Sequence, residues 1–198
     1  ARFGQWFLDP LNKKGPDYER NKNRILDKIE HLDASFVTTS PSVLNFLPKN
    51  NNNFYIPNPS DDSFETLNNF LKPCNVDVFF ALSHGVHRGV LKSGKIDDRI
   101  TFLKNLSERT PDVKFDIYGI DKIQPIWADH YFKTIANAKM GLNLSRGEAI
   151  KYYSSDRITQ IVGNGLVCLI DEKTQYRDFF DNSEMVFYKN VSDLSEKI

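Results

Sequence analysis

The feature that most constrains this chain is an alternation. Short runs rich in β-branched and aromatic residues recur along it, and between them lie runs whose apolar residues return at helical spacing. Runs of the first kind are RFGQWFLD, SFVTT, FYIP, VDVFFAL (76–82), VKFDIY (113–118), MGLNLS (140–145), LVCLI (166–170) and MVFY (185–188). Helical runs are predicted over 17–32, where Ile25, Leu26, Ile29 and Leu32 share one face, then over 97–109, 128–138, from 156, near 173–180 and at SDLSEKI. SPSVLNFL also predicts a helix, with Ser40 as its cap and Pro41 at the first helical position. Strands separated singly by helices are joined through crossovers rather than hairpins, which makes them parallel and covers them on both faces. The expected fold class is therefore α/β, a Rossmann-like parallel sheet with helices on both faces.

The rhythm stops once. PKNNNN is a polar run of loop type, and PNPSDD is a Pro, Asn and Asp hinge. This predicts a linker over 57–62 between a part of one α/β domain, 1–56, and a second domain over 63–198.

Charge and cysteine usage narrow the partners. Lys plus Arg and Asp plus Glu each number 26, so no net field draws the chain to nucleic acid, and an anionic ligand must be met by a local cluster. Cys74 and Cys168 lie far apart without CxxC spacing or histidine partners, which argues against a disulfide framework or a zinc site and fits a reducing cytoplasm. No apolar run reaches membrane-spanning length, and the expected localisation is cytoplasmic.

In open α/β sheets ligands bind beyond the carboxyl ends of the strands, so the loops beginning at Ser83, Gly119, Ser145 and Asp171 are the candidates. The first, SHGVHRGVLKSGK, offers glycines with Arg88, Lys92 and Lys95, the means to approach and neutralise a phosphate. It is neither a Walker A sequence nor a GxGxxG fingerprint, and a solvated basic loop explains it equally well on its own. His84 and His87 lack a carboxylate or cysteine partner, so no metal site is expected. The loop SRGEAIKYYSSDR is richer. Arg146, Lys151 and Arg157 suit a diphosphate, Ser154 and Ser155 suit a phosphate or ribose, and a tyrosine ring suits a base or sugar face. Asp156 or Ser155 is expected to cap the helix that starts near Arg157, turning its first amides toward the same crevice.

Taken in order, FYIPNPSD, DVFFAL, FDIYG, MGLNLSRG, YSSDRITQIVGNGLVCLIDE and MVFYKNVSDLSEKI resemble the C-terminal, donor-binding half of a GT-B glycosyltransferase, and most closely the CgeB-like, spore-protein-type group. The resemblance runs from about residue 54 to the end. Residues 1–53 resemble the last units of the acceptor-side domain, which assigns 1–56 to that domain, YIPNPSD to the interdomain linker and 63–198 to nucleotide-sugar binding. In the resembling families a polar loop, an arginine and EAMACG stand where this chain has SDRITQIVGNG. Arg157 matches the arginine, Gly165 matches a glycine that lets helix and strand pack closely around the donor, and Gln160 falls where a ribose-binding glutamate is usual.

The resemblance implies transfer of a sugar from a nucleoside diphosphate sugar to an acceptor hydroxyl, without a bound metal or other cofactor. The implied donor-binding set is Ser83, Arg88, Lys92, Tyr118, Gly119, Ser145, Arg146, Tyr153, Ser154, Ser155, Arg157 and Gln160, with no catalytic residue assigned. The acceptor is implied to be a glycan or a lipid-linked glycan of the bacterial surface, the latter compatible with peripheral membrane contact. Because GT-B chemistry uses both walls of an interdomain cleft, little turnover is expected of these residues alone. A non-catalytic nucleotide- or sugar-binding module of the same fold stays open beside the enzyme. A Rossmann oxidoreductase does not fit, since no glycine fingerprint follows the first strand.

Overall fold

A computed structural model describes residues 1–15, 17–49, 52–82, 86–87, 90–91 and 98–198. The first part of the chain forms β1 (Gly4–Phe7), α1 (Tyr18–Ile29), β2 (Ala34–Val37) and β3 (Asn52–Tyr55), with the strands in a parallel sheet of order β1-β2-β3. Successive side chains of a strand alternate faces. Phe7 and Val37 therefore point one way and are buried with Ile25 and Ile29 of α1, while Trp6, Phe36 and Phe54, aligned across the three strands, point the other way.

SPSVLNFL departs from its predicted helix. Only Pro41–Val43 forms a 3-10 turn, and the Ser40 hydroxyl pairs with that of Ser42 instead of capping. Burial decides the matter: Leu44 and Leu47 turn into the core beneath α1, and the chain reaches it by consecutive turns, such as the 3.0 Å bond from Leu47 N to Leu44 O.

Between β3 and the next strand there is no helix longer than the 3-10 turn Asn69–Leu71. This stretch is tied down by Asn69, whose buried amide donates to the carbonyls of Ile135 at 2.8 Å and Ala138 at 2.7 Å. A second parallel sheet follows. Its elements are β4 (Val76–Ala81), a short antiparallel pair β5 (Val86–His87) and β6 (Val90–Leu91), α2 (Asp98–Arg109), β7 (Phe115–Tyr118), α3 (Ala128–Ile135), β8 (Ala138–Asn143), α4 (Arg157–Gly163), β9 (Val167–Asp171), β10 (Met185–Tyr188) and α5 (Val191–Ser195). The large strands lie in the order β10-β9-β8-β4-β7, every pair parallel. On one face Phe79, Cys168 and Ile170 pack against Ile135 of α3 and Ile158 and Ile161 of α4. On the other, Val78, Phe80 and Leu169 pack against Leu103 and Leu106 of α2 and Leu194 of α5. The fold is the expected Rossmann-like α/β class with helices on both faces.

Two helices end differently from expectation. α3 stops at Ile135 because Ala138 already belongs to β8. The segment near 173–180 makes two 3-10 turns, Glu172–Thr174 and Tyr176–Asp178, broken by Gln175 in the left-handed region at φ 56°.

Candidate functional site

From β4 the chain runs outward to β7 and then returns to β8 on the opposite side of β4, so the topological switch point lies between β4 and β8. There two sequence-adjacent crossovers diverge and leave a crevice at the carboxyl ends of the strands. Arg157, the first residue of α4, sits across it. Its Nε donates to the carbonyl of Ala81 at the end of β4 (3.0 Å), and its Nη1 donates to Leu144 O just past β8 (3.4 Å) and to the Ser155 hydroxyl (2.9 Å). The guanidinium also lies 5.0 Å from the centre of the Phe80 ring. Burial, and secondarily the charge of Arg99, lower its pKa, yet a guanidinium stays charged near neutral pH.

Beside Arg157 opens a cavity of about 290 Å³, bounded by Ala81 and Leu82 at the end of β4, by Ile126, Trp127, Ala128, Tyr131 and Phe132 of α3 and its approach, and by Asp156, Arg157 and Gln160. Trp127 and Phe132 are 53% and 42% exposed, so part of each ring remains open beside the cavity, as the apolar lining of a ligand pocket would be. Ala128 holds φ 46°, a left-handed conformation that costs an alanine about 1–2 kcal/mol, at the point where the chain turns from Trp127 into α3. Tyr131 is held edge-on against Phe79 and Phe132, and its hydroxyl donates to Gln160 Oε1. Burial pushes the Tyr131 phenol up to about 12.

The predicted residues divide. Arg157 and Gln160 line this cavity together. Ser154 and Ser155 do not offer free hydroxyls. Ser154 Oγ donates to Ser155 O and accepts from Asn143 Nδ2, while Ser155 Oγ donates to Asn143 Oδ1 and accepts from Arg157. They act as a brace, centred on buried Asn143, that holds Arg157 in place. Ser145 and Tyr153 border a separate cavity of about 30 Å³ with Asn143, Asp171, Thr174 and Tyr188. Burial raises the pKa of Tyr153 and of Asp171, and the Tyr188 hydroxyl, also raised, is buried there without a hydrogen-bond partner. Tyr118 ends β7 with its ring against Phe79 and His130. Gly119 at φ 77° is required by packing, since a Cβ there would stand 1.6 Å from Leu82 O. Arg146 borders neither cavity. Ser83, Arg88 and Lys92 lie outside the described residues.

Two local expectations are corrected. Asp156 occupies the cap position of α4 but makes no side-chain cap bond, and the amides of Ile158 and Thr159 bond back to Ser155 O and Asp156 O at 3.1 Å each. Arg157 rather than the helix amides brings positive charge to the crevice. Gly165, expected near the ligand, precedes β9 at its amino end, where a Cβ would meet the Phe70 ring at 2.5 Å. Its freedom serves packing of the segment after β3.

The aromatic wall was missed. WADHYF places a ring at 127 and, one helical turn on, rings at 131 and 132, a visible signal. What hid it is that the wall belongs to the start of α3 and its approach, which carry no basic cluster.

The cavity, bordered by a cation and aromatic rings, lies at the switch point of a parallel sheet, the position where open α/β sheets usually bind ligands. A sequence model of the family described as glycosyl transferase-like matches residues 99–198, and the chain belongs to that family. The match spans α2 to the end, while β4 and the three-stranded sheet precede it. Comparison with curated proteins gave no significant match. Family membership makes the domain a transferase that moves a glycosyl group from a donor to an acceptor. Among the described residues no helix is long and apolar enough to cross a membrane, and no group of three or more His, Cys, Asp or Glu is placed to hold a metal ion.

Proposed function

We propose that the cavity beside Arg157 binds the nucleoside diphosphate part of a nucleotide-sugar donor, and that the chain carries the donor-binding half of a GT-B glycosyltransferase. The observation that carries this reading is Arg157 bridging the carbonyls of Ala81 and Leu144 across the switch point while lining a cavity with exposed Trp127. In the transfer, the bond from the anomeric carbon to the diphosphate oxygen breaks and a bond to the acceptor hydroxyl oxygen forms, with that hydroxyl's proton released. Negative charge grows on the departing diphosphate, and a fixed guanidinium in a partly buried site stabilises it. Trp127 offers a face on which a base can stack. The three-stranded sheet over 1–56 is proposed as part of the acceptor-side wall. Within this reading the chemistry is metal-independent, and the acceptor is a surface glycan or its lipid-linked precursor, as the CgeB-like resemblance implies.

Titration of GDP, UDP, ADP and dTDP into the protein tests the proposal. At least one is expected to bind, and Arg157→Ala is expected to weaken it roughly ten- to a hundredfold, the effect of losing a charged donor. Because Arg157 also braces two strands, melting of the variant is measured alongside. Lower stability with unchanged affinity would assign Arg157 to bracing alone, and failure of every nucleotide to bind the parent chain would overturn the proposal.

A further inference from the structure

Tyr131 and Gln160 meet at the border of the cavity beside Arg157. Gln160 is the third residue after Arg157 on α4, so the two side chains share a helix face. A carboxamide can present either its oxygen or its N–H groups to a ligand. Here the Tyr131 hydroxyl donates to Gln160 Oε1, which turns that oxygen toward α3. The Tyr131 ring is packed in place, edge-on to Phe79 with centroids 5.5 Å apart and to Phe132 at 6.0 Å, which fixes where its hydroxyl meets Gln160. The backbone of Gln160 is held as well, its carbonyl accepting from Asn164 Nδ2 at 2.9 Å.

We infer that Tyr131 is a positioning residue that leaves the Gln160 N–H groups facing the cavity, so that Gln160 and Arg157 together grip the oxygens of the ligand's diphosphate. This rests on the cavity being the donor site. A guanidinium and an amide N–H side by side form a wall of donors, and the partner with acceptors alone is an oxyanion. The cavity's carboxylate, Asp156, is exposed, and the Ala81 carbonyl already accepts from Arg157. A sugar diol, which must also place its protons, finds fewer acceptors on this wall.

The sign of a single substitution separates the two ligand orientations. Titrations of inorganic pyrophosphate, a nucleoside diphosphate and the corresponding nucleoside are compared in the parent chain, Gln160→Glu and Tyr131→Phe, each checked by its melting curve. Pyrophosphate is expected to compete with the nucleoside diphosphate. Gln160→Glu sets a carboxylate against the diphosphate and is expected to weaken both phosphate ligands about tenfold or more, leaving the nucleoside unchanged. Tyr131→Phe frees the amide to turn and is expected to weaken the phosphate ligands about threefold, again sparing the nucleoside. Tighter or unchanged nucleoside diphosphate binding by Gln160→Glu would overturn the inference while the donor site stands. Equal losses for all ligands in Tyr131→Phe would overturn the positioning role. Absence of nucleotide binding to the parent chain would remove the donor site and this inference with it.

Discussion

In the five-stranded sheet Phe79 and Phe80 point to opposite faces and both are fully buried, whereas in the three-stranded sheet the same alternation buries Phe7 and Val37 and leaves Trp6 and Phe54 each 49% exposed. Both sheets are parallel and built from the same strand and helix units. The difference is cover: α3 and α4 lie on one face of the larger sheet and α2 and α5 on the other, while α1 covers a single face of the smaller. Parallel strands are stable chiefly when both faces are packed. The cavity beside Arg157 accordingly stands on the larger sheet, where β4 and β8 are fixed from both sides and hold Arg157 at a set position. The smaller sheet meets it through Tyr55, whose hydroxyl lies 3.3 Å from that of Tyr176 and whose ring stacks on Phe179 at 5.6 Å, and through Lys14 bound to Glu148 at 2.7 Å.

The sharpest way to break the comparison is to remove one ring from each sheet. Phe79→Ala is expected to cost about 3–5 kcal/mol, the loss typical of a large aromatic deleted from a packed core. Urea unfolding measures it. A loss below about 1 kcal/mol would mean that the larger sheet tolerates collapse around β4, and the contrast between the sheets would fail.

Much of this organisation is legible in the sequence, because it rests on local periodicity. The runs 76–82, 113–118 and 185–188 are strands and 17–32 contains α1, since burial on a sheet or helix face imprints its own spacing on the sequence. Arg157 stands out in its polar loop, whereas Gln160 is marked only by the family resemblance, and both border the cavity. What local pattern could not convey is contact between distant segments. That Ser154 and Ser155 spend their hydroxyls on Asn143 depends on β8 lying beside that loop, and that Gly165 serves Phe70 depends on the return of the segment after β3. SPSVLNFL has good helical termini and still forms turns, because Leu44 and Leu47 are drawn into the core beneath α1.

A smaller effect sharpens the comparison within the covered sheet. The Tyr188 hydroxyl is buried without a protein partner beside a cavity of about 30 Å³ that Asp171, Thr174 and Ser145 also border. A polar hole of that size accommodates one water. Tyr188→Phe is therefore expected to lower stability by about 0.5–1.5 kcal/mol, the net value of one hydrogen bond. A gain in stability on thermal unfolding would instead show a dry site where the hydroxyl is a burden.

The smallest effect is expected on the open face. Phe54 stacks on Phe36 with centroids 5.6 Å apart, in register with Trp6 across β2, and Trp6 and Phe54 both stay about half exposed. Phe54→Ala forfeits part of one cross-strand pair, about 0.2–1 kcal/mol, and little burial. The value should be several times smaller than for Phe79→Ala in the same urea series, and independent of protein concentration. Concentration decides the alternative. If Phe54→Ala costs as much as a core ring, the face is covered in solution, and a melting temperature that rises with protein concentration in the parent chain but not in the variant would identify the cover as a second copy. A large loss without concentration dependence would place the cover within the chain itself, and the two sheets would then differ in sequence order rather than in how they are packed.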